Sequence, residues 1–113
     1  MGTLRIGNGW LGFIQVFHMV SNTSDIQLAY SRDGRNWHRL AAGVPWMTTG
    51  PAGSWDEFQM YVPRVIPHGD EMWVYYGGAS CHHDWWIVGQ CSQNFRWITW
   101  VVRGKRIRVR KLE

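Results

Sequence analysis

Residues 25–37 have the sequence DIQLAYSRDGRNW, and this stretch, Asp25–Trp37, decides the fold. From Ile26 to Ser31, large apolar residues alternate with polar or small ones, which is the period of a β-strand. Ser31–Gly34 then predicts a tight turn, because Asp and Gly tolerate the positive φ that such turns need. Trp37 stands where the returning strand can bury a large aromatic side chain. The stretch therefore predicts two antiparallel strands joined by a turn.

The rest of the chain repeats this alternation of short strands and turns. Thirteen Gly and nine Trp in 113 residues are typical of an all-β domain, and no segment has the period of a helix. We therefore predict an all-β, antiparallel fold with no significant helix. Residues 41–60, rich in Gly, Pro and Trp, are expected to form a long loop. Besides the opening unit, the predicted strands are 10–20, 36–40, 61–66, 71–76, 85–90 and 95–102.

The net charge of +4 belongs to one end of the chain. Six of the twelve basic residues lie in residues 103–113, and the remainder has six basic against seven acidic residues. A basic tail can bind nucleic acid or anionic lipid. However, Ile107 and Val109 alternate with arginines, which favours an edge strand guarded by charge. We therefore predict neither a nucleic-acid nor a membrane partner. The sequence has no run of 18 apolar residues, so no transmembrane helix is expected.

A shift of 60 positions aligns the two halves of the sequence. Ile6 then falls on Ile66, Gly9 on Gly69, and the strand at 12–18 overlays the one at 72–78. About four strands per unit of this length is typical of β-propeller blades. The predicted organisation is an incomplete, three-stranded blade at 1–40, a connecting loop at 41–60, a second blade at 61–102 and a basic tail at 103–113.

Two blades cannot close a ring, and an open pair leaves apolar faces and strand edges uncovered. We therefore expect the chain to be a piece of a longer protein, a truncated reading frame, or an obligate assembler. The N-terminus lacks the apolar core of a signal peptide, so the compartment is cytoplasmic by default. Cys81 and Cys91 can pair or stay reduced.

Two segments carry a family likeness. The sequence SRDGRNWHR (Ser31–Arg39) resembles the LAxSxDGxxWxR segment of five-bladed β-propeller glycoside hydrolases, in the families related to fructosidases, arabinofuranosidases and mannoside phosphorylases. The segment Gly53–Gly78, with its YYGG strand, is similar to the next blade of those proteins. One departure is that Cys91–Phe95 stand where the Ser-x-Asp-Gly turn of the following strand is expected.

The resemblance implies carbohydrate as the partner and an inner strand after Asp56 that faces a central funnel. Hydrolysis in the family needs an acid and a base from different blades. The isolated chain is therefore expected to be inactive unless further blades, or further copies in a homo-oligomer, complete it. A non-catalytic carbohydrate-binding module and a structural oligomer remain alternatives. No cofactor is implied. The candidate site consists of Asp56 as the catalytic group, with Trp55, Arg64, His82, His83 and Trp85 binding substrate.

Other roles stay open for these residues. Asp56 can bind sugar hydroxyls, act as acid or base, or simply cap its loop. The Cys81–Asp84 segment contains metal-ligand types, but adjacent histidines on a strand point apart, so no metal site is predicted. Trp46 is a further candidate for stacking on a sugar ring.

The turn that contains Asp33 resembles a second, unrelated motif. The sequence Ser31-x-Asp33-Gly34-x-x-Trp37 is one residue short of the Asp-box of sialidases. That likeness implies a structural hairpin away from the active site. We accordingly expect Asp33 to bond to the amides of its own turn.

Overall fold

The computed structural model describes residues 1–69, 71–83 and 105–108. This part of the chain contains strands and turns and no helix, which confirms the predicted all-β, antiparallel class. The strands form a four-stranded sheet, sheet 1, and a three-stranded sheet, sheet 2. Sheet 1 consists of β1 (Gly2–Ile6), β2 (Gly9–His18), β3 (Thr23–Ser31) and β4 (His38–Arg39), and sheet 2 of β5 (Gln59–His68), β6 (Glu71–Ala79) and β7 (Lys105–Arg108).

Sheet 1 is an antiparallel meander in the order β1-β2-β3-β4. Three strands were predicted here, and β1 was not among them. Ile6 pairs with Gly9 across a two-residue turn, in which Gly7 has a φ of +53°. The alternation of Leu4 and Ile6 with polar neighbours is a strand signal, but it is only five residues long.

The turn after β3 is organised by the carboxylate of Asp33. Its Oδ1 accepts the backbone N–H groups of Arg35 and Asn36, each at 2.8 Å, and the Ser31 hydroxyl at 2.9 Å. Gly34, with a φ of +73°, donates its N–H to Ser31 Oγ. These hydrogen bonds hold the pKa of Asp33 well below its usual range. The structural role expected for Asp33 is confirmed.

Trp37 packs against the face of sheet 1 that carries Gly12. A Cβ atom built on Gly12 would lie 2.7 Å from Trp37 Cζ3, so only Gly fits beneath the ring. The cross-strand partner of Gly12 is Ala29, another small residue. The prediction that Trp37 packs on the sheet is therefore confirmed, although the returning strand β4 is only two residues long.

The connecting loop covers the remaining edge of β3. Leu40 N–H donates to Leu28 O, and Met47 forms an isolated bridge with Ile26. Further along, Ser24 N–H donates to Phe58 O at 3.1 Å. The loop thus satisfies backbone groups that an open edge would leave unpaired, and it leads the chain into β5.

Sheet 2 has the order β5-β6-β7. β5 pairs antiparallel with β6 from His68 and Glu71 onward, with a register shift between Tyr61 and Arg64. Each sheet begins with an antiparallel hairpin, β1–β2 in sheet 1 and β5–β6 in sheet 2. The repeat places the next strand at 87–91, which lies outside the described residues. The third strand described is Lys105–Arg108, which pairs with β6 and is the last strand of the sheet among the described residues.

The core lies between the two sheets. Sheet 1 and its loop contribute Phe13, Ile26 and Met47, and sheet 2 contributes Met60, Val65 and Val74, all buried. We call the side of each sheet that carries these residues its inner face and the opposite side its outer face. Burying this set is the main apolar contribution to stability.

The hydroxyl of Ser24 is a polar link inside this core. Ser24 Oγ lies 2.9 Å from both Gln59 Oε1 and Met60 O, and it accepts the Met60 N–H at 3.1 Å. Ser24 belongs to β3, whereas Gln59 and Met60 begin β5. One buried side chain therefore fixes the start of sheet 2 against sheet 1.

Removing the Asp33 carboxylate should change how stability depends on pH. Because folding lowers the pKa of Asp33, the ionised carboxylate contributes its full stabilisation above the ordinary carboxyl pKa of about 3.9. That contribution is lost progressively as the pH falls below this ordinary pKa. We expect Asp33→Ala to unfold at lower urea concentration at pH 7, with the gap to the wild type narrowing on acidification. Asp33→Asn, which keeps an acceptor oxygen, should lose less. Identical pH profiles for Asp33→Ala and the wild type would contradict this account.

Removing the Ser24 hydroxyl should destabilise the packing of the two sheets. Ser24→Ala leaves the Met60 N–H without its acceptor in a buried site, which we expect to lower the free energy of unfolding by about 1–3 kcal/mol. Ser21→Ala is the matched control, because Ser21 is exposed and its loss should cost no more than about 0.5 kcal/mol. Urea unfolding of both variants measures the difference, and equal effects would contradict the assignment.

Candidate functional site

Several segments from both sheets meet around Asn22. The Asn22 carbonyl oxygen accepts the N–H of His83 at 3.2 Å and Gln59 Nε2 at 2.8 Å. Phe58 N–H donates to Ala79 O, which ties the start of β5 to the end of β6. We call this region, residues 17–25, 54–59 and 79–83, the Asn22 end. It gathers more of the candidate side chains than any other described part of the chain.

A hydrogen bond between the side chains of His18 and Asp25 lies at this end. His18 Nε2 is 2.6 Å from Asp25 Oδ2, and the two side chains are 43% and 12% exposed. Gln27 Nε2 donates to Asp25 Oδ1 at 3.2 Å. Gln27 Oε1 in turn accepts hydrogen bonds from the guanidinium group of Arg39 and from the backbone N–H of Gly43. A half-exposed imidazole is thus held in a fixed direction by a chain of polar side chains.

Sequence reasoning did not single out Asp25 or Gln27. The signal that could have found them is their position on β3, where they alternate with Ile26 and Leu28. Both are buried, because the loop around Gly43 and the side chain of Arg39 cover that side of the strand. A central strand with polar residues on one face indicates a buried polar network.

Asp56, the predicted catalytic residue, is 7% exposed. Ser54 Oγ donates to its Oδ1 at 2.8 Å and Tyr76 Oη donates to its Oδ2 at 3.2 Å. Its backbone carbonyl accepts the N–H of Gly50 at 3.0 Å. This geometry fits the loop-capping alternative, since both carboxylate oxygens are used inside the protein.

Trp55 lies beside the same tyrosine. Its ring centroid is 5.5 Å from that of Tyr76 at an interplanar angle of 30°, and the residue is half-buried. Gly78 makes room for the pair, because a Cβ atom there would lie 2.8 Å from Trp55 Cζ3 and 2.6 Å from Asp56 Cβ. Trp55 and Asp56 therefore pack side by side against β6.

Arg64 lies on the other face of sheet 2. It is exposed and pairs with Tyr75, whereas Asp56 and Trp55 contact Tyr76. Because successive residues of a strand point to opposite faces, the structure separates Arg64 from Trp55 and Asp56.

His82 and His83 lie at the Asn22 end against different aromatic rings. The His82 ring is 4.1 Å from Phe58, and the exposed His83 ring is 4.7 Å from Phe17. Cys81 is disulfide-bonded, so its sulfur is not a thiolate ligand. Within the described residues, no three His, Cys, Asp or Glu side chains are close enough to hold a metal ion.

The remaining tryptophan candidates have different outcomes. Trp46 is partly buried and packs against the core, with its ring centroid 5.1 Å from that of Phe13. Trp85, predicted to bind substrate, lies outside the described residues, as does Asp84.

An open groove at the opposite end of sheet 1 was not anticipated from the sequence. It encloses about 630 Å³ beside the β1–β2 turn, and Arg5 lies 5.7 Å from the ring centroid of Trp10 at its border. Its lining is mainly apolar and consists of Ile6, Asn8, Gly9, Trp10, Leu11, Tyr30, Ser31 and Arg32.

Comparisons with protein-family models, curated proteins and solved structures found no match to this chain. None of the described residues forms a helix that is long and apolar enough to cross a bilayer.

Replacing Asp56 should reduce stability. Asp56→Ala removes the acceptors of the Ser54 and Tyr76 hydroxyl groups, and we expect a loss of about 1–3 kcal/mol in the free energy of unfolding. The adjacent Glu57 is the control, because it accepts only the exposed N–H of Gly53, and Glu57→Ala should cost at most about 0.5 kcal/mol. If Asp56→Ala is as stable as Glu57→Ala, the loop-capping role is wrong.

Proposed function

We propose that the chain is a pair of propeller-type blades whose Asn22 end binds carbohydrate. The connectivity supports the blade assignment. Sheet 1 is a four-stranded meander, and the chain leaves its last strand through the loop to begin the next sheet at β5. β5 in turn contacts β1, β2 and β3. Successive meanders packed face to face, each entered from the last strand of the previous one, are typical of blades.

The observation that carries the carbohydrate proposal is the combination of exposed polar and aromatic groups at the Asn22 end. Phe17 is 41% exposed, and the exposed His83 places a polar ring beside it. His18, held by Asp25 and 43% exposed, lies on the opposite face of β2. The Phe17 and His83 rings lie against each other. Sugars present hydroxyl groups to polar side chains and C–H faces to aromatic rings, so this pairing suits them.

Binding without hydrolysis is the activity we propose for the isolated chain. Glycoside hydrolysis uses two carboxyl groups placed on either side of the scissile bond. The two buried carboxylates described are Asp25 and Asp56. Asp25 bonds to His18 and Gln27, and Asp56 to Ser54 and Tyr76. Each is engaged within the protein, which favours roles in positioning and stability.

Titration of the 15N-labelled chain with a panel of mono- and oligosaccharides tests the proposal. We expect saturable chemical-shift changes at residues 17–25 and 79–83. Phe17→Ala and His83→Ala should each weaken binding roughly tenfold, which is about 1.4 kcal/mol, whereas His18→Ala, on the opposite face of β2, should bind as the wild type does. Two matched controls, Arg64→Ala on the outer face of sheet 2 and Tyr30→Ala in the groove at the opposite end, should bind as the wild type does.

Two results would contradict the proposal. One is the absence of saturable shifts with every sugar, or shifts confined to the groove around Trp10. The other is turnover of aryl-glycosides that disappears in Asp56→Asn, because it would make Asp56 a catalytic residue.

A further inference from the structure

The inner face of sheet 1 continues past the core and ends in the open groove beside the β1–β2 turn. Leu11 still packs against the core, whereas Ile6 and Tyr30, on the same face, are 50% and 43% exposed. The groove that opens here encloses about 630 Å³. Small-molecule sites enclose roughly 300–1,000 Å³ and are mostly apolar, so the size and lining of this groove suit a small molecule.

Gly9 shapes the middle of the groove. It pairs with Ile6 across the β1–β2 turn, and a Cβ atom built on it would lie 2.9 Å from Ser31 O, so the close approach of these strands needs glycine. The middle strand of the three therefore contributes backbone alone at this point. Ile6, on β1, and Arg32, directly after β3, line the groove on either side of it.

The lining combines two aromatic rings with one cationic side chain. Trp10 is half-buried and Tyr30 is exposed, and the charged member of the lining is the exposed Arg32. Arg5, 5.7 Å from the ring centroid of Trp10, adds a second positive charge at the border. Aromatic rings offer flat apolar surfaces for stacking, and a guanidinium group offers a fork of donors that matches the two oxygens of a carboxylate.

The nearest carboxylate in the sequence does not pair with these arginines. Asp33 follows Arg32, but its Oδ1 accepts the N–H groups of Arg35 and Asn36 and its Oδ2 accepts the side-chain amide of Asn36. In the part of the chain that the structure describes, no carboxylate forms a salt bridge with Arg5 or Arg32. The groove therefore has positive charge next to an apolar, aromatic surface.

We propose that this groove binds a small planar aromatic carboxylate, with the aromatic ring against Trp10 and Tyr30 and the carboxylate paired with Arg32. Charge complementarity selects an anion, and the flat rings select a planar apolar body. The groove and the Asn22 end lie at opposite ends of sheet 1, so this binding is independent of the proposed carbohydrate binding.

Titration of the 15N-labelled full chain with 1-naphthoate tests the inference. We expect saturable chemical-shift changes at residues 6–11 and 30–32, including the indole N–H of Trp10. Two further probes separate the contribution of the charge from that of the ring. The amide 1-naphthamide keeps the ring and loses the charge, whereas cyclohexanecarboxylate keeps the charge and loses the flat ring. Each should bind roughly tenfold more weakly than 1-naphthoate, or weaker still.

Two variants test the assigned residues. Arg32→Gln and Tyr30→Ala should each weaken the binding of 1-naphthoate roughly tenfold or more. Arg35→Gln is the matched control, because it removes the same charge from the same turn at an exposed residue that does not line the groove, and it should bind as the wild type does. Tyr30 and Arg32 are exposed, so the fold should tolerate both changes, and thermal unfolding checks this. If Tyr30→Ala unfolds early, Arg32→Gln decides the test.

Several results would overturn the inference. One is the absence of saturable shifts with 1-naphthoate, and another is shifts confined to residues 17–25 and 79–83. Equal affinities for 1-naphthoate and 1-naphthamide would mean that the groove does not recognise the carboxylate. Equal losses in Arg32→Gln and Arg35→Gln would reduce the effect to the overall charge of the turn, with no direct contact from Arg32.

Discussion

The hydrogen bonds between the Ser24 hydroxyl and Met60 are the constraint on which the rest of the structure depends. The hydroxyl accepts the Met60 N–H and lies 2.9 Å from the Met60 carbonyl oxygen, inside a core that includes Ile26. Because a buried polar group must be paired, the register of β5 against β3 is fixed at this point. The fixed register brings the start of β5 to the turn at Asn22, and with it the aromatic and histidine side chains of that end.

The same constraint relates structure to function. β5 is held against sheet 1, and its neighbour β6 carries Tyr76. The Tyr76 ring packs against Trp55, and the Tyr76 hydroxyl donates to the carboxylate of Asp56, which fixes the position of Asp56. The His18 side chain, held by Asp25, stays half-exposed.

Local patterns in the sequence predicted the fold class and the turn at Asp33, since alternation and turn chemistry are properties of neighbouring residues. They missed β1, whose signal is short and becomes a strand through its pairing with β2. For the site, spacing placed Trp55 and Asp56 together correctly. It did not separate them from Arg64, because the face on which a strand residue lies depends on register and on the bulge in β5. The buried position of Asp25 depends on a distant loop, which no local pattern contains.

The most direct test of the packing between the sheets is NMR on the full chain. We expect nuclear Overhauser contacts that connect the side chains of Phe13 or Ile26 with those of Met60, Val65 or Val74, together with slow hydrogen exchange of the Met60 amide. Contacts of Phe13 and Ile26 confined to sheet 1 and its loop, with rapid exchange of the Met60 amide, would contradict it.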